Sequence, residues 1–391
     1  MTRILLGITG SIATGKIPEL VRSLRTKGVC VETILTKGAQ AFVGTSLLEG
    51  LTGNPVHTNL WKEGMPHIRL ERESDLLLVA PATAHFLAKL AWGLADDLLS
   101  TLSLASTHPL VVAPAMNAQM WKSAAVQANI KTLTERGVVI VPPAEGKLAC
   151  GEEGVGRLAE IDEILSYVQR ALTSQDYEGL RVLVTAGPTR EPLDSVRFLS
   201  NPSTGTMGAA IATEAWLRGA EVTVVAGPGT PPVPLGVQRL EVVTAGEMAT
   251  CAGKVPFDIG FFAAAVGDLV FPQPVKGKPR KRDWLESGPP PWSEAPDALE
   301  SVARRDDAGF VLGFAAHAGG APQEAANKVF EKGADGVFAN DISDKDSGFG
   351  TGKNKGILFL KGRDLLIPLS SKREIASRLL DEVIPKRVVI S

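Results

Sequence analysis

Short apolar runs recur along the chain, "ILLGI" after residue 3 and then "VETILT", "DLLLVAPA", "PLVVAPA" and "VVIVPP". Each is followed by an amphipathic or Ala/Leu-rich stretch. The first of these, "IPELVRSLRTKG" with Pro18 in its opening turn, reads as a helix. Such alternation predicts βαβ units around a parallel sheet. The polar stretch "SYVQRALTSQDYEGL" precedes a restart at "RVLVTAGPTREPLD", and "ATEAWLRGAEVTVVAGP" beyond it mirrors "ELVRSLRTKGVCVETILT" near the start. The pattern predicts an α/β protein of two doubly wound, Rossmann-like parallel-sheet domains, residues 1–173 and 178–391. Two stretches of the second half, "FPQPVKGKPRKRDWLESGPPPW" and "SDKDSGFGTGKNKG", read as long mobile loops.

Composition narrows the function classes. The 391 residues suffice for two or three domains, and 44% are hydrophobic, enough to bury their cores. A formal net charge of −2 argues against a nucleic-acid or membrane-surface partner. The start "MTRILLGITG" lacks the pattern of a signal peptide and no apolar run reaches about 18 residues, so a cytoplasmic protein without a membrane span is expected. Cys30, Cys150 and Cys251 lie far apart, which points to neither a disulfide framework nor a zinc site.

Candidate chemistry begins at "GITGSIATGK". A triphosphate-binding Walker A loop needs a hydroxyl where Ile17 stands, and the glycines at 7, 10 and 15 do not space as a dinucleotide fingerprint. What remains is an apolar strand, a glycine turn and a helix start, whose free amides attract an anion, with the Ser11 hydroxyl beside them. In the plainer alternative Gly10 only makes the turn and Ser11 only caps the helix. Asn117 follows a strand in "PAMNAQMW", where its amide could hold a carboxylate or a flavin edge, or simply satisfy its own loop. His67 precedes a strand-like run as a general base or a surface histidine, and Cys150 sits in the glycine-rich "AEGKLACGEEGVGRL", a loop able to close over a site.

Through "GSIA", the His of "HIRL", "APAT", "PAMNAQMW" and "ACGEEGVGRL", the first half resembles the homo-oligomeric flavin-containing cysteine decarboxylases. The restart "VTAGPTREPLDSVRFLSNPSTGTMG" resembles the phosphopantothenate-cysteine ligase domain. In this order the two are similar to the bacterial bifunctional phosphopantothenoylcysteine decarboxylase/phosphopantothenate-cysteine ligase family of coenzyme A synthesis.

The resemblance implies that the opening phosphate belongs to FMN, held by Gly10, Ser11, Thr36, Ala82, Thr83, Met116 and Asn117. It implies His67 as base, Asn117 as holder of the substrate carboxylate, Cys150 as proton donor, and homo-oligomers built on trimers, up to a dodecamer. For the second half it implies CTP with Mg²⁺, an acyl-cytidylate, and attack by cysteine. The matching nucleotide positions are Ala263, Ala264, Asp268, Lys276, Pro296, Asp297, Ala298, Leu299, Phe314, Lys328 and Lys332. Asn201 is implied to act on the acyl-cytidylate and Arg197 to steady the pantothenate phosphate; no metal ligand is assigned.

Departures fall in the second half. Thr206 stands where the family pattern has a lysine, Leu269 where it has Tyr, His317 where it has Glu, and the basic loop reads "KGKPRK". Two other readings therefore stay open: an FMN decarboxylase whose second domain serves binding or assembly, and a non-catalytic flavoprotein that regulates partners. Retention of His67 and Cys150 speaks against the latter.

Overall fold

The computed structural model describes residues 1–61, 65–147, 151–343 and 350–384, without the side chains of Leu285 and Ser287. It divides into two compact units, Met1–Ser174 and Gln175–Ser391.

In the first unit β1 (Arg3–Ile8), α1 (Ile17–Thr26), β2 (Cys30–Leu35), α2 (Thr45–Thr52), β3 (Val56–His57) and α3 (Pro66–Arg72) alternate. The series continues through β4 (Leu76–Ala82), α4 (Ala84–Trp92), α5 (Leu98–Ala105), β5 (Leu110–Pro114), α6 (Ala118–Lys122), α7 (Ala124–Glu135) and β6 (Val139–Ile140). A hairpin of β7 (Ala144–Lys147) and β8 (Glu153–Arg157) then leads to α8 (Ile161–Leu172). The six strands form one parallel sheet in the order β3-β2-β1-β4-β5-β6. Every residue of β4 is buried, as a central strand covered by helices on both faces requires. Helix α1 buries Ile17, Leu20, Val21 and Leu24, the stripe that a 3.6-residue period puts on one side.

The second unit runs β9 (Arg181–Ala186), β10 (Arg190–Pro192), β11 (Phe198–Ser200), α9 (Thr206–Leu217), β12 (Glu221–Ala226), β13 (Gln238–Glu241), α10 (Ala245–Ala252) and β14 (Ile259–Phe262). It goes on with β15 (Leu269–Val270), α11 (Lys281–Ser287), β16 (Ser293–Glu294), α12 (Ala298–Ala303), β17 (Phe310–His317), α13 (Pro322–Glu331), β18 (Gly336–Asp341), β19 (Lys353–Leu360), β20 (Arg363–Ser371) and α14 (Lys372–Val383). Its main sheet has the order β13-β12-β9-β14-β17-β18-β19-β20. The α/β class holds in both units, but this second sheet is mixed. It is parallel as far as β18, whereas β19 and β20 are antiparallel. Two residues, Lys361 and Gly362 at φ 85°, join β19 to β20, and a connection so short can only make a hairpin.

Part of each stretch read as a loop belongs to a regular element. Within 271–292 lies α11, started by Asp283, whose carboxylate accepts from the Arg280 N–H at 2.8 Å. The second stretch runs into β19 from Lys353, and its residues 344–349 lie outside the described residues.

Candidate functional site

Strand order reverses between β1 and β4, and such a switch point leaves a crevice at the carboxyl ends of the strands. Gly10 and Ser11 follow β1, Thr36 follows β2, Ala82 ends β4 and Thr83 follows it, and Met116 and Asn117 follow β5, so neighbouring strand ends gather these seven residues at one edge. His67 is the second residue of α3, in the crossover leading into β4.

The edge is tied together at Thr9. Its hydroxyl donates to the Pro81 carbonyl at 2.7 Å and accepts from the Thr83 N–H at 3.0 Å, locking the ends of β1 and β4 to each other. Gly10 has a steric reason to be glycine: a Cβ there would lie 2.8 Å from the carbonyl carbon of Gly38, in the loop after β2. One expectation changes in detail. Helix α1 does not follow the glycine turn directly, because a 3₁₀ segment, Ile12–Lys16, intervenes and is capped by Ser11, whose Oγ accepts from the Ala13 N–H at 3.3 Å. Thr83 likewise caps α4 by accepting from the Phe86 N–H at 3.3 Å.

Neither hydroxyl donates to any described residue, so two O–H groups remain for an anion between the strand ends. Thr36, by contrast, already donates to the Ile8 carbonyl at 3.2 Å. The residues present therefore fit a flavin phosphate through Ser11 and Thr83. His67 Nδ1 is buried and makes no hydrogen bond, leaving an unengaged ring nitrogen. Asn117 caps α6 through Oδ1, which accepts from the Gln119 N–H at 2.7 Å, and its Nδ2 donates to Glu152 Oε2 at 2.6 Å. The Met116 N–H donates to the Gly156 carbonyl at 2.9 Å and seats β8 against the end of β5. Cys150 lies outside the described residues.

At the carboxyl edge of the second sheet opens a cavity of about 1080 Å³. It brings together Asn201, Ala263, Ala264, Asp268, Pro296, Asp297, Ala298, Leu299, Phe314, Lys328 and Lys332. Phe314, in β17, presents a partly exposed ring braced edge-on by Phe338 at 5.5 Å between centroids. Asn201 is aimed by two hydrogen bonds from Nδ2, to the carbonyls of Ala265 at 3.2 Å and Val266 at 3.0 Å. Lys328 and Lys332 do converge on the cavity. Lys332 sits at the C-cap of α13 and pairs with Asp297 at 2.7 Å.

Lys276 and Arg197 are not among the lining residues. The Arg197 guanidinium lies 3.6 Å from Asp194 Oδ2, donates to the Pro279 carbonyl at 3.2 Å and stacks over Trp284 at 5.4 Å. Thr206 lines the cavity, its hydroxyl 2.9 Å from that of Thr204, while Leu269 and His317 do not. The sequence reading missed Asn340, Asn354 and Lys372, which also line it. Their signal is non-local, since β18, β19 and β20 must pair before these residues meet. In the first unit Thr9, a hydroxyl at the end of an apolar strand beside a glycine, could have been found.

Among the described residues no group of three or more His, Cys, Asp or Glu is placed to hold a metal ion, and no helix is long and apolar enough to cross a membrane.

Residues 1–173 match the family model described as Flavoprotein, and residues 177–386 the model described as DNA/pantothenate metabolism flavoprotein C-terminal domain. The coenzyme A biosynthesis bifunctional protein CoaBC of Escherichia coli (strain K12) is 39% identical over 396 aligned positions, covering 98% of this chain and 97% of the relative. The protein of the same name from Bacillus subtilis (strain 168) is 36% identical over 394 positions, covering 97% and 96%. A crystal structure of the C-terminal domain of CoaBC is 31% identical and covers 54% of this chain and 96% of its own, with a TM-score of 0.44.

Proposed function

The chain belongs to the family of coenzyme A biosynthesis bifunctional proteins, and from that premise we propose that it catalyses two successive reactions. The second unit joins 4′-phosphopantothenate to cysteine at the expense of CTP, through an acyl-cytidylate. The first unit then decarboxylates the phosphopantothenoylcysteine to 4′-phosphopantetheine.

In the first unit Ser11 and Thr83 would hold the FMN phosphate with their free O–H groups, and Met116 and Asn117 would contact the flavin. Bound FMN supplies the electron sink that an unactivated carboxylate lacks. His67, with its unengaged Nδ1, takes the proton from the substrate thiol. The Asn117 amide, fixed by Glu152, orients the departing carboxylate, and Cys150 returns a proton. In the second unit Lys328 and Lys332 face the triphosphate, which arrives with Mg²⁺, and Phe314 offers a ring face to the nucleotide. Asn201, held by two carbonyls, faces the acyl group. The flavin site and the trimer-based oligomer go together in this reading, and the reaction is cytoplasmic.

What carries the reading is the second cavity, where all the expected nucleotide residues except Lys276, scattered from 263 to 332, line one wall system. That convergence also speaks against a second domain reduced to binding or assembly. The test supplies purified full-length protein with CTP, Mg²⁺ and cysteine and follows pyrophosphate and CO₂. Pyrophosphate appears only when phosphopantothenate is present, and the protein is yellow. His67→Asn keeps the flavin absorbance and stops CO₂ release; undiminished CO₂ release would remove His67 as base.

A further inference from the structure

Lys372 is the first residue of α14, placed where β20 ends on the carboxyl edge of the second sheet. It is 6% exposed, lines the large cavity, and its ammonium makes no hydrogen bond or ion pair with any described residue. Burial alone pushes it below the ordinary lysine range. A charge withdrawn from water without a partner is costly, and a fold retains it where a ligand completes the pairing.

Two amides stand at the same edge. Asn340 is the last residue but one of β18 and Asn354 the second of β19, 8% and 5% exposed, and both line the cavity. The register sets them beside the end of β20, with Asn340 opposite Gly356 and Asn354 opposite Ser370. Asn354 Oδ1 accepts from the Lys355 N–H at 2.9 Å, and its NH₂ donates to no described residue. The other lysines of the lining differ: Lys332 is neutralised by Asp297, and Lys328 is exposed. Thr206, at the start of α9, brings no charge.

We propose that Lys372, together with the amide groups of Asn340 and Asn354, is a receptor for a phosphate oxyanion at the inner wall of the ligase cavity. The proposal rests on the ligase reading and extends it by a positioning group outside the expected set. Two sources carry this chemistry, the triphosphate of the nucleotide and the phosphate ester of the pantothenate substrate.

Full-length protein is compared with Lys372→Met and Lys372→Arg. With tripolyphosphate as the calorimetric probe, Lys372→Met weakens binding about tenfold, the scale of one charge-assisted contact, and Lys372→Arg restores most of it. In steady state, a KM rise confined to CTP assigns the nucleotide, and one confined to phosphopantothenate assigns the ester. Unchanged tripolyphosphate affinity with both KM values unchanged overturns the proposal. Independently of any variant, reductive methylation of the wild-type protein followed by peptide mass spectrometry labels Lys372 less when tripolyphosphate is present; equal labelling also overturns it. Wild-type protein that releases no pyrophosphate yet protects Lys372 sinks the ligase reading and leaves the receptor standing.

Discussion

Lys332 Nζ stands 2.7 Å from Asp297 Oδ2 in the cavity of the second unit, and the same carboxylate caps α12 by accepting from the Glu300 N–H at 2.9 Å. Burial would push the Asp297 carboxyl up, but the Lys332 ammonium and the backbone N–H outweigh it and hold the carboxyl below its usual value. Asp297 in turn raises Lys332 against its partial burial. The Asp297 contribution is complete above its unfolded value of about 3.9 and is lost as pH falls through the lowered folded value. That of Lys332 is complete below about 10.4 and is lost as pH rises through the raised folded value. The pair therefore stays intact across neutral pH. Asp297→Asn keeps the cap and frees the Lys332 ammonium for the triphosphate, and should lower the KM for CTP by up to about tenfold with a small loss of melting temperature from the broken pair. Asp297→Ala should lose about 1 kcal/mol more through the cap. Equal KM values for wild type and Asp297→Asn would take the pair out of the nucleotide site.

Gly10 offers a test of the first unit by sign. Gly10→Ala drives a Cβ to 2.8 Å from the Gly38 backbone and should cost about 1–3 kcal/mol by overpacking, with loss of bound flavin. Gly50, in the middle of α2, has open space around the added methyl. Gly50→Ala should instead stabilise the protein by about 0.5–1 kcal/mol through helix propensity and leave flavin content unchanged. Thermal unfolding and the flavin-to-protein absorbance ratio read both.

The sequence disclosed what local pattern controls. The buried runs "LLLVAPA" and "LVVAP" became β4 and β5, and the turns after them carry Thr83 and Asn117 to the edge where ligands bind. Lys372 escaped because "SSKREIAS" reads as an ordinary helix start, with Ser371 and Glu374 forming its capping box. Its burial depends on a hairpin and a cavity wall built from residues far up the chain. Arg197 illustrates the converse. Its charge was legible, but its engagement by Asp194, Pro279 and Trp284 depends on how the 275–284 segment returns to it.

Asn117 Nδ2 donates to Glu152 Oε2 at 2.6 Å, so the amide needs its NH₂ toward Glu152. Asn117→Asp sets two carboxylates at that separation, where like charges cannot both ionise freely. The decarboxylase kcat/KM should fall at least about a hundredfold at pH 7 and recover partly toward acid, as one carboxyl takes up a proton. Glu152→Gln should be far milder, because the hydrogen bond survives. CO₂ release across pH 5–8 distinguishes the two; equal losses would assign Glu152 a role of its own.

Arg218, 7% exposed, gathers the framework of the second unit. It pairs with Asp176 and Asp381, and donates to the Ser377 carbonyl at 3.4 Å. Its guanidinium stacks 4.9 Å from the Tyr177 ring, whose buried hydroxyl donates to the Leu380 carbonyl at 2.6 Å. Lysine offers one point charge in place of this fork, so Arg218→Lys should lose about 2 kcal/mol in urea unfolding. Most of these contacts fall on α14, the helix that begins with Lys372 and packs against α9. The same variant should therefore raise the ligase KM for the phosphate-bearing substrate that Lys372 serves while leaving decarboxylation of supplied phosphopantothenoylcysteine unchanged. A loss of stability without that selective KM change would mean that α14 holds Lys372 in place independently of Arg218.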